Sequence, residues 1–600
     1  MFKFRMAAMA MALATAILLP GLGGCVSTPR PDATDAAATL AAIYDDYFEE
    51  QLKLNPSAAT FLGDERYNDQ LENPADEKYV LAVRALDKRY LDKIRGIDST
   101  ALIGSARISY DIFRRERVLG LESARFPARL LPINQMDSIA ETFALLGSGA
   151  SAQPFRNTRD YDNFLARARG FVSWANSAIE SMREGVRRGV VQPRVVMVKV
   201  VPQLRAVAAD DPEKTIFWRP IKALPQSISE ADRERLTARY RDAIRDQIVP
   251  AYRRLADFIE QEYLPKTRTS VAWSALPDGA AWYRFRIRTA TTTKLSADDI
   301  YRLGLGEVAR IHNEMLAVKA QVGFSGDLHA FFKFLQDDPK FYFSSSDAVV
   351  QGFRDLKARI DVKLPKLFAD FPKADYEVRV VEAFRAESAP GAFYQQPSAD
   401  GKRPGIFYVN TFNLKAQPIF GMETLSLHEA SPGHHFQISI QQELTALPRF
   451  RRYGGYNAYA EGWALYCESI GRELGMFTDP YQWYGRLSDE MLRAMRLVID
   501  TGLHSKGWTR EQAIAYMHDN SAMADSDIVA EVERYIAWPG QALGYKVGQL
   551  RISAMRARAE AALGARFDVK AFHSQLLRDG SVPLDVLEAK IDRWIAAQRQ

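Results

Sequence analysis

The segment His428-Glu429-Ala430-Ser431-Pro432-Gly433-His434-His435 contains three of the eight histidines in the 600-residue chain. A His-Glu pair on a helix, followed by another His, is the arrangement that binds zinc in a large class of peptidases. In the usual spacing the second His comes four residues after the first, so both imidazoles lie on one helical face, about 6 Å apart along the axis. Both can then bind one metal ion at about 2.0–2.1 Å. The intervening Glu faces the same cleft and can accept a proton from the attacking water.

The spacing in this chain differs from the usual one. His434 comes six residues after His428, about 240° around a regular helix, and His435 comes seven residues after it, about 10 Å along the axis. Pro432-Gly433 interrupts the helix, because proline lacks an amide donor and glycine allows conformations that other residues avoid. We therefore expect a short bulge at residues 431–433. If two residues of this bulge are looped out of the helix, His434 takes the place of the second ligand. If three are looped out, His435 takes that place. We favour His434.

A third protein ligand is needed, because catalytic zinc sites combine three protein ligands with an open position. The segment Tyr459-Ala460-Glu461-Gly462-Trp463-Ala464-Leu465-Tyr466-Cys467-Glu468 follows the histidines on a predicted helix. Glu461 is the predicted ligand. Glu468 lies seven residues later on the same face; it is expected either to orient a ligand imidazole or to be a solvated helix charge. Cys467 points away from Glu461 and is assigned to the core.

The stretch His428-Glu429-x-x-Pro432-Gly433-His434-x-x-Gln437 resembles the signature of a bacterial family catalogued as domain of unknown function 885. Residues 461–466 resemble the same family, and the resemblance covers nearly the whole mature chain. In that family the first His after Pro-Gly is constant, which favours His434 over His435. The resemblance implies a zincin-like metallopeptidase that binds zinc through His, His and Glu. Its relatives include the helical oligopeptidases and the thermostable carboxypeptidases.

Two stretches further along the chain also resemble this family, and both are rich in groups that can stabilise an oxyanion. From them we predict Tyr545 and His504 as catalytic electrophilic helpers. Arg534 and Tyr535 are predicted to bind substrate or to orient a ligand. The alternative is that these aromatic rings pack in the core and that Arg534 pairs with a carboxylate.

A predicted strand at residues 404–410 directly precedes the metal helix. In peptidases related to the family an edge strand at this place pairs with the extended backbone of the substrate. Tyr408 on this strand is therefore a predicted substrate-binding residue. A purely structural strand is the alternative.

These residues together predict zinc-dependent hydrolysis of peptide bonds in short peptides. His428, His434 and Glu461 are the predicted metal ligands, and Glu429 is the predicted general base, which later acts as the acid to the leaving amine. The rival hypothesis is a catalytically inactive envelope lipoprotein that binds metal or peptides.

The N-terminus predicts export. Lys3 and Arg5 precede an apolar run from Met6 to Leu19, which is short for a membrane-spanning helix and typical of a signal peptide. Leu22-Gly23-Gly24-Cys25 then resembles a bacterial lipobox, which implies cleavage before Cys25 and lipidation of its thiol. We expect a protein at the periplasmic face of the outer membrane, held by its acyl chains alone. An ordinary signal peptide is the alternative.

Composition and patterning predict the organisation of the chain: a signal peptide at 1–25, a flexible tether at 26–37, a helical region at 38–270 and a catalytic region at 271–600. The 79 Lys and Arg nearly balance the 74 Asp and Glu, so no nucleic-acid partner is expected. With Cys25 lipidated, Cys467 has no partner for an intramolecular disulfide.

The predicted fold class is mostly α, with a small edge sheet beside the active-site helices. Residues 195–201 are β-branched and fit either a strand or a buried helix, whereas residues 282–288 broadly alternate apolar and charged side chains and predict a strand. Ser296 and Thr509 each begin a box-like helix start. The remaining predicted elements are a helix from Ser296 to about 318, strands at 376–381 and 404–410, and helices from about 422 to the end.

Overall fold

The computed structural model describes residues 33–381, 386, 391–397 and 403–599, and these are mostly helical with one small sheet. The predicted signal peptide, Cys25 and residues 26–32 of the predicted tether lie outside the described residues. The first helix begins at Ala33, inside the stretch predicted as tether. In the part of the chain that the structure describes, no helix combines the length and apolarity needed to span a membrane.

Helices occupy most of the chain on both sides of the sheet. Before the sheet they are α1 (Ala33–Leu54), α2 (Pro56–Phe61), α3 (Glu77–Arg95), α4 (Gly104–Ser123), α5 (Ile139–Gly147), α6 (Thr158–Arg188), α7 (Arg194–Val207), α8 (Arg219–Lys222), α9 (Glu230–Ala243), α10 (Val249–Phe258), α11 (Gly279–Thr291), α12 (Ala297–Gln321), α13 (Leu328–Asp337) and α14 (Ser346–Asp361). After the sheet they are α15 (Met422–Glu429), α16 (His434–Glu443), α17 (Arg449–Arg452), α18 (Asn457–Ser469), α19 (Pro480–Ser505), α20 (Arg510–Asn520), α21 (Asp525–Ala537), α22 (Leu543–Leu563), α23 (Val569–Leu577) and α24 (Leu584–Arg599).

Two large apolar cores organise these helices. The first core joins α5–α10 to parts of α12, α13 and α19–α21. The second core joins α11, α14, two strands of the sheet, α15, α16, α18 and α22–α24. A smaller cluster lies between α1, α3 and α4. The helices that carry the histidine segment and Glu461 thus belong to the second core.

Two segments whose sequences have strand-like patterns are helical in the structure. Residues 282–288, predicted as a strand, lie in α11, so that prediction is wrong. Apolar side chains on both sides of α11 are buried, and this two-sided burial imitates the alternation of a strand. Residues 195–201 lie in α7, where the buried side chains recur at the three- and four-residue steps of a helix.

Both predicted helix starts are confirmed. Ser296 accepts a hydrogen bond from the Asp299 amide, and the Asp299 carboxylate accepts one from the Ser296 amide, so the box caps α12. Thr509 and Gln512 cap α20 in the same reciprocal way.

The sheet has three strands in the order β1-β3-β2. β1 (Tyr376–Val380) runs parallel to β3 (Gly405–Val409), and β2 (Ala392–Gln395) runs antiparallel to it. The strands predicted at 376–381 and 404–410 are therefore present. Since β3 pairs on both sides, it is the central strand, and the prediction that it is an edge strand is wrong.

Candidate metal centre

The histidine segment is a junction between two helices. α15 ends at Glu429 and α16 begins at His434, so the intervening residues leave the helix and the bulge expected at 431–433 is a full break. Gly433 lies so close to the preceding turn that a Cβ atom there would be 1.9 Å from the carbonyl oxygen of His428. Only glycine fits this position, since any side chain would push the two helix ends apart.

The junction is held by the helix that carries Glu461. The Pro432 carbonyl oxygen accepts a hydrogen bond of 2.8 Å from the indole N–H of Trp463 and a longer one of 3.4 Å from the Cys467 thiol. Both donors are fully buried and lie four residues apart on α18. Cys467 is thus a core residue, as predicted, and the contact fixes the distance between the histidines and Glu461.

The break brings His428, His434 and Glu461 together. Nε2 of His428 lies 3.4 Å from Oε2 of Glu461, and Nε2 of His434 lies 3.5 Å from the same oxygen. One ligand atom from each side chain lies within 4.8 Å of the other two. The two imidazole rings are nearly perpendicular, with centroids 4.8 Å apart. These three residues could hold a metal ion.

His435 points away from this group. Its ring is buried against Tyr376, and its Nδ1 lies 2.8 Å from the hydroxyl of Tyr394 on β2. Burial lowers the pKa of His435 to about 4, so the ring is neutral at physiological pH. The structure therefore places His434, and not His435, beside His428 and Glu461.

Glu468 holds His428 in place. Oε1 of Glu468 lies 2.7 Å from Nδ1 of His428, and its Oε2 accepts a hydrogen bond of 2.9 Å from the hydroxyl of Thr424. Only 2% of the Glu468 side chain is exposed, which excludes the solvated alternative. A proton on Nδ1 directs the lone pair of Nε2 toward Glu461, as in metal sites where a carboxylate orients a ligand histidine.

The electrostatics of the group favour a cation. Burial by itself raises the pKa of Glu461, but the neighbouring His434 and His428 outweigh it and hold this pKa well below its usual range. Burial lowers the pKa of His428, and its contacts with Glu461 and Glu468 raise it by more. The carboxylates thus create a site that attracts positive charge, which a proton or a metal ion can supply.

The residues present fit zinc. Ligand bonds of about 2.0–2.1 Å in a tetrahedral site place the ligand atoms about 3.3–3.4 Å apart, close to the two separations from Glu461. Oε2 of Glu461 is buried and has no hydrogen-bond partner among the described residues, so a cation would satisfy it. Two imidazoles and a carboxylate are also a ligand set of catalytic zinc sites.

Comparison with known proteins identifies the family. Residues 56–591 match the family described as "Bacterial protein of unknown function (DUF885)". The chain belongs to the DUF885 family. A solved structure described as "the putative lipoprotein from Colwellia psychrerythraea" is 30% identical to this DUF885 chain, with a TM-score of 0.85, and the match covers 94% of this chain and 99% of the other.

A second solved structure, described as "a putative lipoprotein of unknown function from Shewanella oneidensis", shares the fold of this DUF885 protein. It is 19% identical with a TM-score of 0.73, and the match covers 92% of this chain and 98% of the other. No curated protein matches the chain.

Glu429 is the last residue of α15 in this DUF885 protein and directly follows His428. Its side chain is partly exposed, and it makes no hydrogen bond or ion pair with any residue that the structure describes. Its charge acts on the His428 imidazole. A carboxylate without a protein partner at this place remains available to a water molecule or a substrate.

His504 is not at this centre, contrary to the prediction. It is fully buried, its Nδ1 accepts a hydrogen bond from the backbone N–H of Trp273 at 3.2 Å, and its Nε2 lies 2.9 Å from the carbonyl oxygen of Tyr535. Burial lowers its pKa to about 3. Since both ring nitrogens are bound to backbone, His504 is a structural residue of the DUF885 fold.

The other predicted helpers form a polar group. Tyr535 is buried, donates to Glu531 at 2.6 Å and accepts from Arg496 at 3.2 Å, so it has no group free for a substrate. Arg534 pairs with Glu531 at 3.1 Å and donates to the hydroxyl oxygen of Tyr545 at 3.4 Å. Arg534 and Tyr545 are partly exposed. Arg534 therefore pairs with a carboxylate, as the alternative prediction for this residue proposed.

Tyr408 does not contact the centre. It stacks on Phe393 with ring centroids 4.9 Å apart and lies in a small apolar cluster with Ile406. Phe407 lies between Ile406 and Tyr408 on β3 and belongs to the second core together with α15, α16 and α18. Successive residues of a strand point to opposite faces, so Tyr408 faces away from these helices.

Sequence reasoning missed several groups around the site. Thr424 lies four residues before His428, a spacing that puts it on the same helical face. Asp489 and Arg493 pair at 3.0 Å on α19, and the charge of Glu468 acts on both of them. The four-residue spacing between Thr424 and His428 could have identified Thr424 from the sequence. Asp489 and Arg493 could not be identified in this way, because they reach the site only through the packing of α19 on α15.

Proposed function

We propose that this DUF885 protein is a zinc-dependent peptidase of the zincin type that hydrolyses short peptides in the cell envelope. The observation that carries the proposal is the convergence of His428, His434 and Glu461 next to Glu429, whose carboxylate has no hydrogen bond or ion pair with a described residue. A six-residue interval on a regular helix would not produce this arrangement, so the break between α15 and α16 serves the site.

Bound zinc would polarise the substrate carbonyl and increase the acidity of water at the site. His428, His434 and Glu461 would hold the ion, with Glu468 fixing the orientation of the His428 ring. The Glu429 carboxylate accepts a proton from the attacking water and returns it to the leaving amine. The Tyr545 hydroxyl donates a hydrogen bond to the developing oxyanion. Its proton is available because the hydroxyl oxygen only accepts in its contact with Arg534.

The proposed location rests on the N-terminal sequence and on the relatives. The lipobox-like Leu22–Cys25 segment implies lipidation, and both solved structures reported above carry the description "putative lipoprotein". We therefore place the protein in the cell envelope, on a lipid anchor at Cys25, with peptides as its partners.

The metal is tested first. Mass spectrometry of the purified protein is expected to find one zinc per chain, and His428→Ala is expected to lose it. His518→Ala is the matched control, because His518 is an exposed histidine outside the triad, and this variant is expected to retain zinc. Wild-type protein that binds no zinc would overturn the proposal.

The chemistry is tested separately. Glu429→Gln is expected to retain zinc and to lose hydrolysis of a peptide library by about 10²- to 10⁴-fold, the usual contribution of a general base. Equal hydrolysis by wild type and Glu429→Gln would exclude Glu429 as the base. A zinc-loaded wild type without hydrolysis would favour the rival hypothesis of an inactive binding protein.

A further inference from the structure

Two arginines share one carboxylate in the group that we call the arginine cluster: Arg496, Glu531, Arg534, Tyr535 and Tyr545. Arg496 pairs with Oε2 of Glu531 at 2.9 Å, and Arg534 pairs with Oε1 at 3.1 Å. Within the described chain, neither guanidinium has a second carboxylate partner. The two guanidinium groups and the single carboxylate therefore leave one positive charge without a counter-charge.

This charge lies largely out of solvent. The exposed fractions of the Arg496, Glu531 and Arg534 side chains are 5%, 20% and 19%. Nη1 of Arg496 and Nε of Arg534 have no hydrogen-bond partner among the described residues. A buried charge is costly unless an opposite charge accompanies it. The arginine cluster is therefore suited to an anion that arrives from outside the chain.

Side-chain contacts connect the arginine cluster to the helix that carries Glu461. Arg534 donates to Oε1 of Gln541 at 3.0 Å, and Nε2 of Gln541 donates to Oδ1 of Asn457 at 3.2 Å. Asn457 comes four residues before Glu461 on α18, so the two lie on one helical face about 6 Å apart. The guanidinium of Arg534 thus lies on the order of 10 Å from Glu461.

Backbone packing supports this placement. A Cβ on Gly462 would be 2.5 Å from the Cα of Gly548, so α18 and α22 touch directly after Glu461. Tyr545 lies on α22 within one turn of that contact. Its hydroxyl accepts from Arg534, and its ring is covered on one side by Arg496, 4.4 Å from the ring centroid. Tyr545 therefore lies on the helix that packs against α18 beside Glu461, and it contacts Arg534 through its hydroxyl.

We propose that Arg534, supported by the charge of Arg496, binds the C-terminal carboxylate of the peptide substrate. This inference rests on the proposed peptidase function and specifies its substrate class. A peptide backbone spans about 3.3–3.6 Å per residue, so a separation on the order of 10 Å accommodates one to three residues between the scissile bond and the C-terminus. The protein is then an exopeptidase that releases short C-terminal fragments and recognises the free carboxylate by a charge-assisted hydrogen bond.

Binding is measured without turnover. In the zinc-loaded Glu429→Gln protein, calorimetry compares a pentapeptide with a free C-terminal carboxylate and the same peptide as the C-terminal amide. The free acid is expected to bind about 10- to 100-fold more tightly, the range for a hydrogen bond to a charged group. In Arg534→Gln on the same background this preference is expected to disappear.

The control is Arg510→Gln. Arg510 is also a partly buried arginine, but it pairs with Glu533 outside the arginine cluster, so the preference for the free acid is expected to persist. Equal binding of acid and amide by the Glu429→Gln protein would overturn the inference. A peptide amide with a Glu side chain at its last position that binds as tightly as the free acid would also overturn it.

Product analysis separates this inference from the proposed function. With wild-type protein, mass spectrometry is expected to show stepwise loss of one to three C-terminal residues from free-acid peptides. Internal cleavage that is equally fast for acid and amide would overturn the inference and leave the peptidase function standing. Absence of both zinc and hydrolysis would overturn the proposed function. The calorimetric comparison of acid and amide, repeated with metal-free wild type and metal-free Arg534→Gln, would then still show whether Arg534 binds the carboxylate.

Discussion

The orientation of one imidazole decides whether three side chains can share one metal ion. His428 contacts Glu468 through Nδ1 and faces Glu461 through Nε2. Thr424 fills a second acceptor position of Glu468, so the carboxylate has little freedom to turn. The site therefore depends on a buried residue that would never touch the metal.

Glu468→Gln tests this dependence. The amide has the shape of the carboxylate but not its charge, so it holds the His428 ring less firmly and makes it a weaker base. Zinc affinity, measured by competition with a chelating dye, is expected to fall about 10- to 100-fold, the usual effect of losing such a partner.

Glu473→Gln is the control for Glu468→Gln. Glu473 is an exposed carboxylate that follows α18 and pairs with Arg556, and its substitution is expected to leave zinc affinity unchanged. Equal zinc affinity for Glu468→Gln and wild type would show that Glu468 does not support the metal.

At the scale of elements, the junction between α15 and α16 replaces one continuous helix. Four residues leave the helical path, and the Pro432 carbonyl at their centre is held by Trp463 and Cys467 of α18. The junction turns a six-residue interval into neighbouring imidazoles. Its tight path requires the absence of a side chain at Gly433.

Gly433→Ala is expected to destabilise the protein and to disturb the metal site. The added methyl group would lie 1.9 Å from the carbonyl oxygen of His428, so the ends of α15 and α16 must separate. We expect a loss of about 3 kcal/mol in the free energy of unfolding together with a loss of bound zinc. Guanidinium unfolding and metal analysis measure the two effects.

Gly306→Ala is the matched substitution, because a Cβ at Gly306 in α12 would meet no atom within 4 Å. In an open helical position alanine is expected to stabilise the protein by about 0.5–1 kcal/mol. If Gly433→Ala matched Gly306→Ala in stability and zinc content, the tight junction would not be needed.

At the scale of the whole molecule, α19 links the apolar cores. It contributes buried side chains to both of them and carries Asp500, whose carboxylate accepts hydrogen bonds from the Tyr283 hydroxyl at 2.6 Å and the Gly540 amide at 2.9 Å. These contacts join three distant parts of the chain. Burial raises the pKa of Asp500 to about 7, although both hydrogen bonds act in the opposite direction.

A pH dependence of stability follows from this raised pKa. The ordinary pKa of an aspartate carboxyl is 3.8, so between pH 4 and 7 the folded state retains a proton that the unfolded state has lost. The stabilisation is complete below pH 4 and is lost as the pH rises through about 7. From this shift Asp500 is expected to contribute a decrease of about 4 kcal/mol in the free energy of unfolding over that interval.

Asp500→Asn isolates this contribution, because the amide does not titrate. Guanidinium unfolding of wild type and variant from pH 4.5 to 7.5 is expected to show a steeper decline for wild type, with the difference between the two curves due to Asp500. Parallel curves would mean that Asp500 does not retain its proton in the folded protein.

The sequence by itself determined the local features of this protein. The mostly helical class, the capped starts of α12 and α20, two of the three strands, and the selection of His428 and Glu461 as candidate ligands all follow from short patterns, because each depends on residue type and spacing within a few turns. The spacing left His434 and His435 as alternatives for the remaining ligand. Local spacing also identified Glu468 as a candidate for orienting a ligand imidazole.

Only the tertiary structure decided the features that depend on distant packing. It placed His435 against the sheet, buried His504 and Tyr535 behind backbone and ionic contacts, made β3 the central strand, and made residues 282–288 a helix buried on two sides. In each case at least one partner comes from a segment far away in the chain, and no local pattern contains it. The arginine cluster is partly local, because Glu531 and Arg534 are neighbours on α21, but Arg496 reaches Glu531 only through the packing of α19 on α21.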